Sequence, residues 1–136
     1  MSKFTQTEHP LGRYLAGGKL FRLAEAMPYD VGAEGSAVRI IVPAGFVTDF
    51  ASIPRVAQVI IPKDVGRRAA ILHDWLYATN GCRGFFTRAQ ADAIFLEALG
   101  VLNVFPPARW AMYSAVRLGG WWAWAAAKNK PLRIDD

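Results

Sequence analysis

The sequence predicts an α+β fold: a small N-terminal β-sheet or hairpins followed by three packed α-helices. Three observations predict it. Segments that are β-branched or alternating, bounded by Gly and Pro, are confined to the first third of the chain. Helical periodicity and capping signals fill the remainder. The length of 136 residues, 53% of them hydrophobic, suits a single domain over 1–136 with a core that needs no disulfide staples. Residues 1–18 and 129–136 are expected to be loosely ordered ends.

The β part comes first. "KLFRLAEAM" (19–27) opens with a short alternation and is followed by a turn signal, "PYD", and a loop, "VGAEGSA". "VRIIVPAGFV" (38–47) reads as a strand, edge or bulged because of Pro43. The helices follow. Asp64 is placed to cap the first, near Arg67 to Ala78, with Ala69, His73 and Tyr77 on one face and Leu72 and Leu76 beside them. "TNGCRGF" ends it. Thr87 and Gln90 form a capping box for the second helix, which runs to about Leu99 with Gly100 as the stop. Ala91, Phe95 and Ala98 mark its apolar side. Pro106 and Pro107 start the third helix, and Gly119 and Gly120 bend or break it.

Composition narrows the function. Cys82 is the lone cysteine, so no intrachain disulfide forms and nothing points to an oxidising compartment. The start shows no secretory signal, and no apolar run is long enough for a spanning helix. The net charge of +5 suits an anionic partner such as a membrane surface. Walker and dinucleotide glycine patterns are absent, as is the interleaved basic and aromatic pattern of a nucleic-acid platform, so no nucleic acid is expected.

The chemistry-bearing residues are Asp49, His73, Asp74 and Asp92. Two helices packed antiparallel bring Asp92 against His73, where it fixes the imidazole tautomer and stabilises the protonated ring. Asp74, about 100° round the helix from His73, can point with Asp49 at a hard cation, with carbonyls of the 45–54 loop completing the shell. A base with its orienting acid, beside a cation, is the apparatus for activating water against an ester.

The motifs "GFVTDFASIP", "LHDWLY", "RAQADAIF" and "MYSAVRLGG" occur in this order. Over about residues 20–120 the chain resembles an uncharacterised family of phage and prophage proteins, a domain of unknown function. That resemblance implies a phage or prophage origin and a location in the infected bacterium's cytoplasm or the virion. It implies no activity. "HDWLY" is also similar to the His-Asp-x-x-Tyr helix of secreted phospholipases A2. "ADAIF" resembles the Asp-x-x-Phe step on the second helix of the short bacterial and fungal enzymes, and "TDFASIP" their calcium loop. This second resemblance implies His73 as general base, Asp92 as its partner, Tyr77 as a hydrogen-bonding brace, and Asp74 with Asp49 and loop carbonyls as calcium ligands. The disulfides that lock those helices are missing, since Leu72 and Ala69 stand here.

Plainer assignments stand beside these. Asp49 caps a turn, with Thr48 and Ser52 holding the loop. Asp92 pairs with Arg88 at i−4. Tyr77 is a core aromatic. On that view the chain is a non-enzymatic phage structural or assembly protein, and its His-Asp motifs are a buried polar network. A third class is an accessory protein that binds a host factor through its Trp-rich end. An open cleft at His73 and Asp92 speaks for chemistry, and burial of both speaks for the network. Trp121, Trp122 and Trp124, followed by Lys128 and Lys130, suit a membrane interface.

Overall fold

The computed structural model describes residues 11–32, 37–50, 52–58 and 63–135. They group into two compact units, Met1–Asp49 with Arg133–Asp136, and Phe50–Leu132. The first is β and the second helical, so the predicted α+β class holds.

The β unit contains β1 (Gly12–Tyr14), β2 (Phe21–Leu23), β3 (Met27–Asp30), β4 (Arg39–Val42) and β5 (Val47–Thr48). β1, β2 and β5 make an antiparallel sheet with β2 central, and β3 and β4 form a separate antiparallel ribbon. Phe21, Leu23, Met27, Tyr29, Ile40, Val42, Phe46 and Val47 are its buried apolar side chains. Alternation is visible in β4, where Ile40 and Val42 point inward and Arg39 and Ile41 outward.

Two expectations need correction here. "PYD" is not a turn: Pro28, Tyr29 and Asp30 lie in β3, paired with Ile41, Ile40 and Arg39. Each strand of a two-stranded ribbon keeps one free side, and there the missing N–H of Pro28 costs no ladder bond. The segment 38–47 is not one strand. It breaks after Val42 at a turn in which the Phe46 N–H donates to the Pro43 carbonyl. Gly45 takes φ +86 in this turn, and a Cβ there would lie 2.0 Å from the Asp135 carbonyl oxygen.

That close approach reflects how the chain end is held. Residues 133–135, within the stretch expected to be loose, run beside the turn. The Asp135 N–H donates to the Gly45 carbonyl, the Val47 N–H to the Arg133 carbonyl, and Arg22 Nη2 to the Asp135 carbonyl. Gly12–Tyr14, also expected to be loose, is the β1 edge of the sheet. Most of the "VGAEGSA" loop (33–36) lies outside the described residues.

The helical unit contains α1 (Arg55–Gln58), α2 (Lys63–Ala78), α3 (Asn80–Gly84), α4 (Arg88–Val101), α5 (Pro106–Gly119), α6 (Trp121–Ala126) and a 3-10 turn, Ala127–Asn129. The three long helices are the three predicted. α2 begins at Lys63, so Asp64 falls within its span, and the expected Asp64 cap lies outside the described side chains. α3 winds with the opposite hand: φ is +48 at Asn80, +72 at Gly81, +57 at Cys82, +62 at Arg83 and +94 at Gly84. Such a run is strained for residues with a Cβ. Two bonds tie it at Thr79, whose Oγ1 accepts the Cys82 N–H and donates to the Trp75 carbonyl.

The Thr87–Gln90 capping box is formed in both directions. Gly100 does not stop α4. The helix continues to Val101, and Asn103 takes the left-handed position, φ +60. Gly100 serves packing, since a Cβ there would sit 2.9 Å from the Arg109 guanidinium. Pro106 and Pro107 open α5 as expected.

Tyr77 meets Arg88 while His73, one turn back, meets Asp92, one turn on, so α2 and α4 run antiparallel. Leu72, Leu76, Phe95, Ala98, Leu99, Met112 and Val116 fill the space between the long helices.

The double glycine separates α5 from α6, yet hydrogen bonds cross the break from Gly120 N–H to Val116 O and from Trp124 N–H to Gly120 O. The two glycines are not equivalent. A Cβ on Gly120 would lie 2.6 Å from both the Tyr77 hydroxyl and the Val116 carbonyl oxygen. A Cβ on Gly119 would meet only the Pro54 ring, with Cγ at 3.1 Å and Cβ at 3.9 Å. Gly120→Ala is therefore expected to cost about 1–3 kcal/mol by overpacking, and Gly119→Ala much less. Urea denaturation of the two variants checks the difference.

Candidate functional site

The polar residues of the helical unit converge on one carboxylate. Asp92 sits on the inward face of α4 with its side chain fully buried. His73 Nε2 lies 2.7 Å from Asp92 Oδ1, the contact expected from antiparallel packing. The Tyr77 hydroxyl donates to the same oxygen at 2.7 Å. The other oxygen, Oδ2, accepts from Arg117 Nη1 at 2.8 Å and from Arg88 Nη1 at 3.4 Å. His73 and Tyr77 come from α2, Arg88 from α4 itself, and Arg117 from α5. The i−4 partner Arg88 is present, but Arg117 makes the shorter contact.

The other ring nitrogen of His73 is also occupied. Ser52 Oγ lies 3.0 Å from Nδ1. Ser52 lies within a tight turn in which the Ile53 N–H donates to the Phe50 carbonyl and Phe50 takes φ +59, an uncommon conformation for a bulky residue. The Ser52 backbone N–H donates to Asp74 Oδ1 at 3.3 Å. His73 and Asp92 are 0% exposed and Ser52 is 3% exposed, so these three are closed to solvent, while the Arg88 and Arg117 side chains are partly exposed. The His73 ring packs on those of Tyr77 and Phe95, with centroids 4.3 and 4.6 Å apart.

The charges follow from these contacts. Burial pushes the Asp92 carboxyl up, but hydrogen bonds from His73, Tyr77 and Arg117 outweigh it and hold the group below the usual carboxylate range. Burial drives the Tyr77 phenol well above its ordinary value, so it stays protonated and donates. An ionised carboxylate only accepts, so Nε2 carries a hydrogen. In the neutral ring Nδ1 then has only its lone pair, and the Ser52 hydroxyl donates to it. With the ring neutral, the contacts run one way, from hydroxyl to imidazole to carboxylate.

The two acids expected to meet at a cation belong to different units. Asp74, 9% exposed, receives the Ser52 amide, while Asp49 ends the β unit and is exposed. Among the described residues, no group of three or more His, Cys, Asp and Glu side chains is placed to hold a metal ion.

Trp124 is not displayed as its neighbours are. Its ring meets Tyr77 edge-on at 5.1 Å, and its carbonyl accepts from Asn80 Nδ2. Ser52 and Arg117 complete the site without having been singled out for it, whereas Arg88 is the expected i−4 partner of Asp92. For Arg117 the available signal was its position on the third helix one turn after Tyr113, facing back toward the core. Ser52 was legible only as a loop residue.

Asp92 makes stability dependent on pH in a definite direction. Its folded-state pKa is depressed, so its contribution is full above the unfolded-state value, about 4, and disappears as pH falls through the lower folded-state value. The thermal midpoint is expected to drop on acidification below about pH 4, and Asp92→Asn to flatten that segment of the curve while lowering the plateau. Melting curves between pH 7 and pH 2 check both.

Over residues 21–116 the chain matches the family described as protein of unknown function, DUF1353. No curated protein and no solved structure matches it. The match spans most of the chain and takes in Ser52, His73, Tyr77, Arg88 and Asp92, so the protein belongs to the DUF1353 family.

Proposed function

We propose that this is a phage or prophage hydrolase of lipid esters, acting in infection or lysis. His73 is its base and Asp92 its orienting acid, with Tyr77 as a positioning residue. One observation carries the reading: the unbroken contact from a hydroxyl through His73 Nδ1 and Nε2 to Asp92 Oδ1. A base held by an ionised acid at one nitrogen, with a hydroxyl at the other, can accept that hydroxyl's proton as its oxygen attacks an ester carbonyl. The placement of Tyr77 on the same carboxylate oxygen supports the likeness to the phospholipase A2 helix pair. Calcium takes about six to eight oxygen ligands, and among the described residues no group of three or more His, Cys, Asp and Glu side chains is placed to supply them.

Closure of the site favours a second reading. Every polar atom of the constellation has a partner, and His73 and Asp92 are sealed. A saturated network of this kind fixes helix packing without chemistry, as in a phage structural or assembly protein. Fatty-acid release from phosphatidylglycerol in mixed micelles separates the two. The enzyme reading expects release by the parent protein and a loss of at least about 10²-fold in His73→Gln, with the far-UV spectrum retained. No release by the parent, on this lipid or on short-chain esters, leaves the network as the account.

The proposed substrate has a matching surface. No helix among the described residues is long and apolar enough to cross a membrane. Trp110, Leu118 and Trp121 fall on one stripe of α5 and its continuation into α6, with Trp122 adjoining. Leu118 is 81%, Trp121 63% and Trp122 59% exposed. From Ala98 to Ile134 the chain has no acidic residue, while Arg109, Arg117, Lys128, Lys130 and Arg133 fall in that span. Exposed indoles within an acid-free, basic segment suit an anionic bilayer interface. Trp124 takes no part, since it packs on Tyr77. Co-sedimentation with phosphatidylglycerol vesicles at low salt is expected for the parent protein and is expected to fall at least about tenfold in a Trp110→Ala, Trp121→Ala, Trp122→Ala variant, each exposed indole contributing buried apolar area. Equal binding by both proteins removes this surface from the reading.

A further inference from the structure

The hydroxyl at the base belongs to a side chain, and this identifies the attacking atom. We infer that Ser52 is the nucleophile of a Ser52–His73–Asp92 relay, so that turnover passes through an acyl-enzyme and water does not attack directly. The inference rests on the hydrolase reading above. A base that activates water directly needs a free direction at its outer nitrogen, but here Ser52 Oγ occupies Nδ1 at 3.0 Å. The far nitrogen is committed to Asp92 at 2.7 Å. The Tyr77 and Arg117 donors keep that carboxylate ionised and fixed. The geometry satisfies nucleophile–base and base–acid contacts together, with the two ring nitrogens exchanged relative to the serine-protease arrangement. Ser52 is also held from behind: its N–H is anchored on Asp74, and Phe50, at positive φ, opens the turn that contains it.

The steps balance. The Ser52 Oγ–H proton passes to Nδ1 as Oγ bonds to the ester carbonyl carbon. Collapse of the tetrahedral species breaks the bond to the alcohol oxygen, which leaves with the proton from Nδ1. Water then gives one proton to Nδ1 and its oxygen to the acyl carbon. The Ser52–acyl bond breaks, and the proton on Nδ1 returns to Oγ.

A fluorophosphonate probe tests this on the full chain, because it bonds covalently to an activated serine hydroxyl and releases fluoride. The expected result is one adduct, mapped by peptide mass spectrometry to Ser52, formed by the parent protein and absent from His73→Gln. Ser52→Ala is expected to lose hydrolysis of a short-chain p-nitrophenyl ester by at least about 10²-fold. The adduct on the parent protein needs no variant to fold, so instability of Ser52→Ala leaves the test intact. A parent protein that hydrolyses the ester but carries no adduct on Ser52, or a folded Ser52→Ala with parental turnover, overturns the inference and leaves water as the nucleophile in the hydrolase reading. A parent protein with neither turnover nor adduct overturns both.

Discussion

The packing of the helical unit depends on one ionised carboxylate placed where no water reaches it. Removing a carboxylate from water costs several kcal/mol even after the surroundings relax. Asp92 is tolerable inside α4 because its two oxygens receive four donors from three helices. The donors are unlike in kind. Imidazole and phenol meet Oδ1, and two guanidinium groups meet Oδ2. The charge is balanced mainly at one oxygen and the orientation is set mainly at the other. Sliding any of the long helices by one turn, about 5.4 Å, would strand the charge, so Asp92 defines register as well as holding the helices together.

Other features of the unit follow from that point. Arg88 reaches beyond Asp92 to the Val116 and Arg117 carbonyls at the C-terminal end of α5. A positive group there also complements the helix dipole. The same guanidinium thus joins α4 to α5 by charge and by capping. Tyr77 must stand upright beside α5 to reach Asp92, which leaves no room for a side chain at position 120. Its ring also packs edge-on against Trp124, which half-buries that indole.

The elements whose periodicity is long and whose ends carry polar caps were legible in the sequence. α4 is the clearest case, since Thr87 and Gln90 satisfy each other's backbone partners locally and need no tertiary context. The His73–Asp92 contact was legible because both lie on the inward stripe of helices joined by a short connection. What stayed hidden depends on distant chain. Pro28 reads as a turn because its strand has only one neighbour. Gly100 reads as a stop, although the space it leaves is taken by Arg109 from the next helix. Ser52 lies 21 residues before His73, in a loop with no periodicity to show which way its hydroxyl faces. Arg117 resembles any surface arginine until α5 is docked.

Ser52 and Arg117 therefore change what the His-Asp motif means. A histidine and an acid on neighbouring helices can serve equally as a tether or as a base, because one hydrogen bond is compatible with both. Direction comes from the ends of the chain of contacts. At one end hydrogen bonds from His73, Tyr77 and Arg117 keep Asp92 ionised, so it can only accept, and this assigns the Nε2 hydrogen. At the other end, with the ring neutral, the Ser52 hydroxyl donates to the remaining lone pair. Burial strengthens each of these contacts by excluding competing water, and it also denies entrance to an ester in the conformation described. The closed form is consistent with a stable network and with the resting state of a relay, and what separates them is the reactivity of a single oxygen atom, Ser52 Oγ.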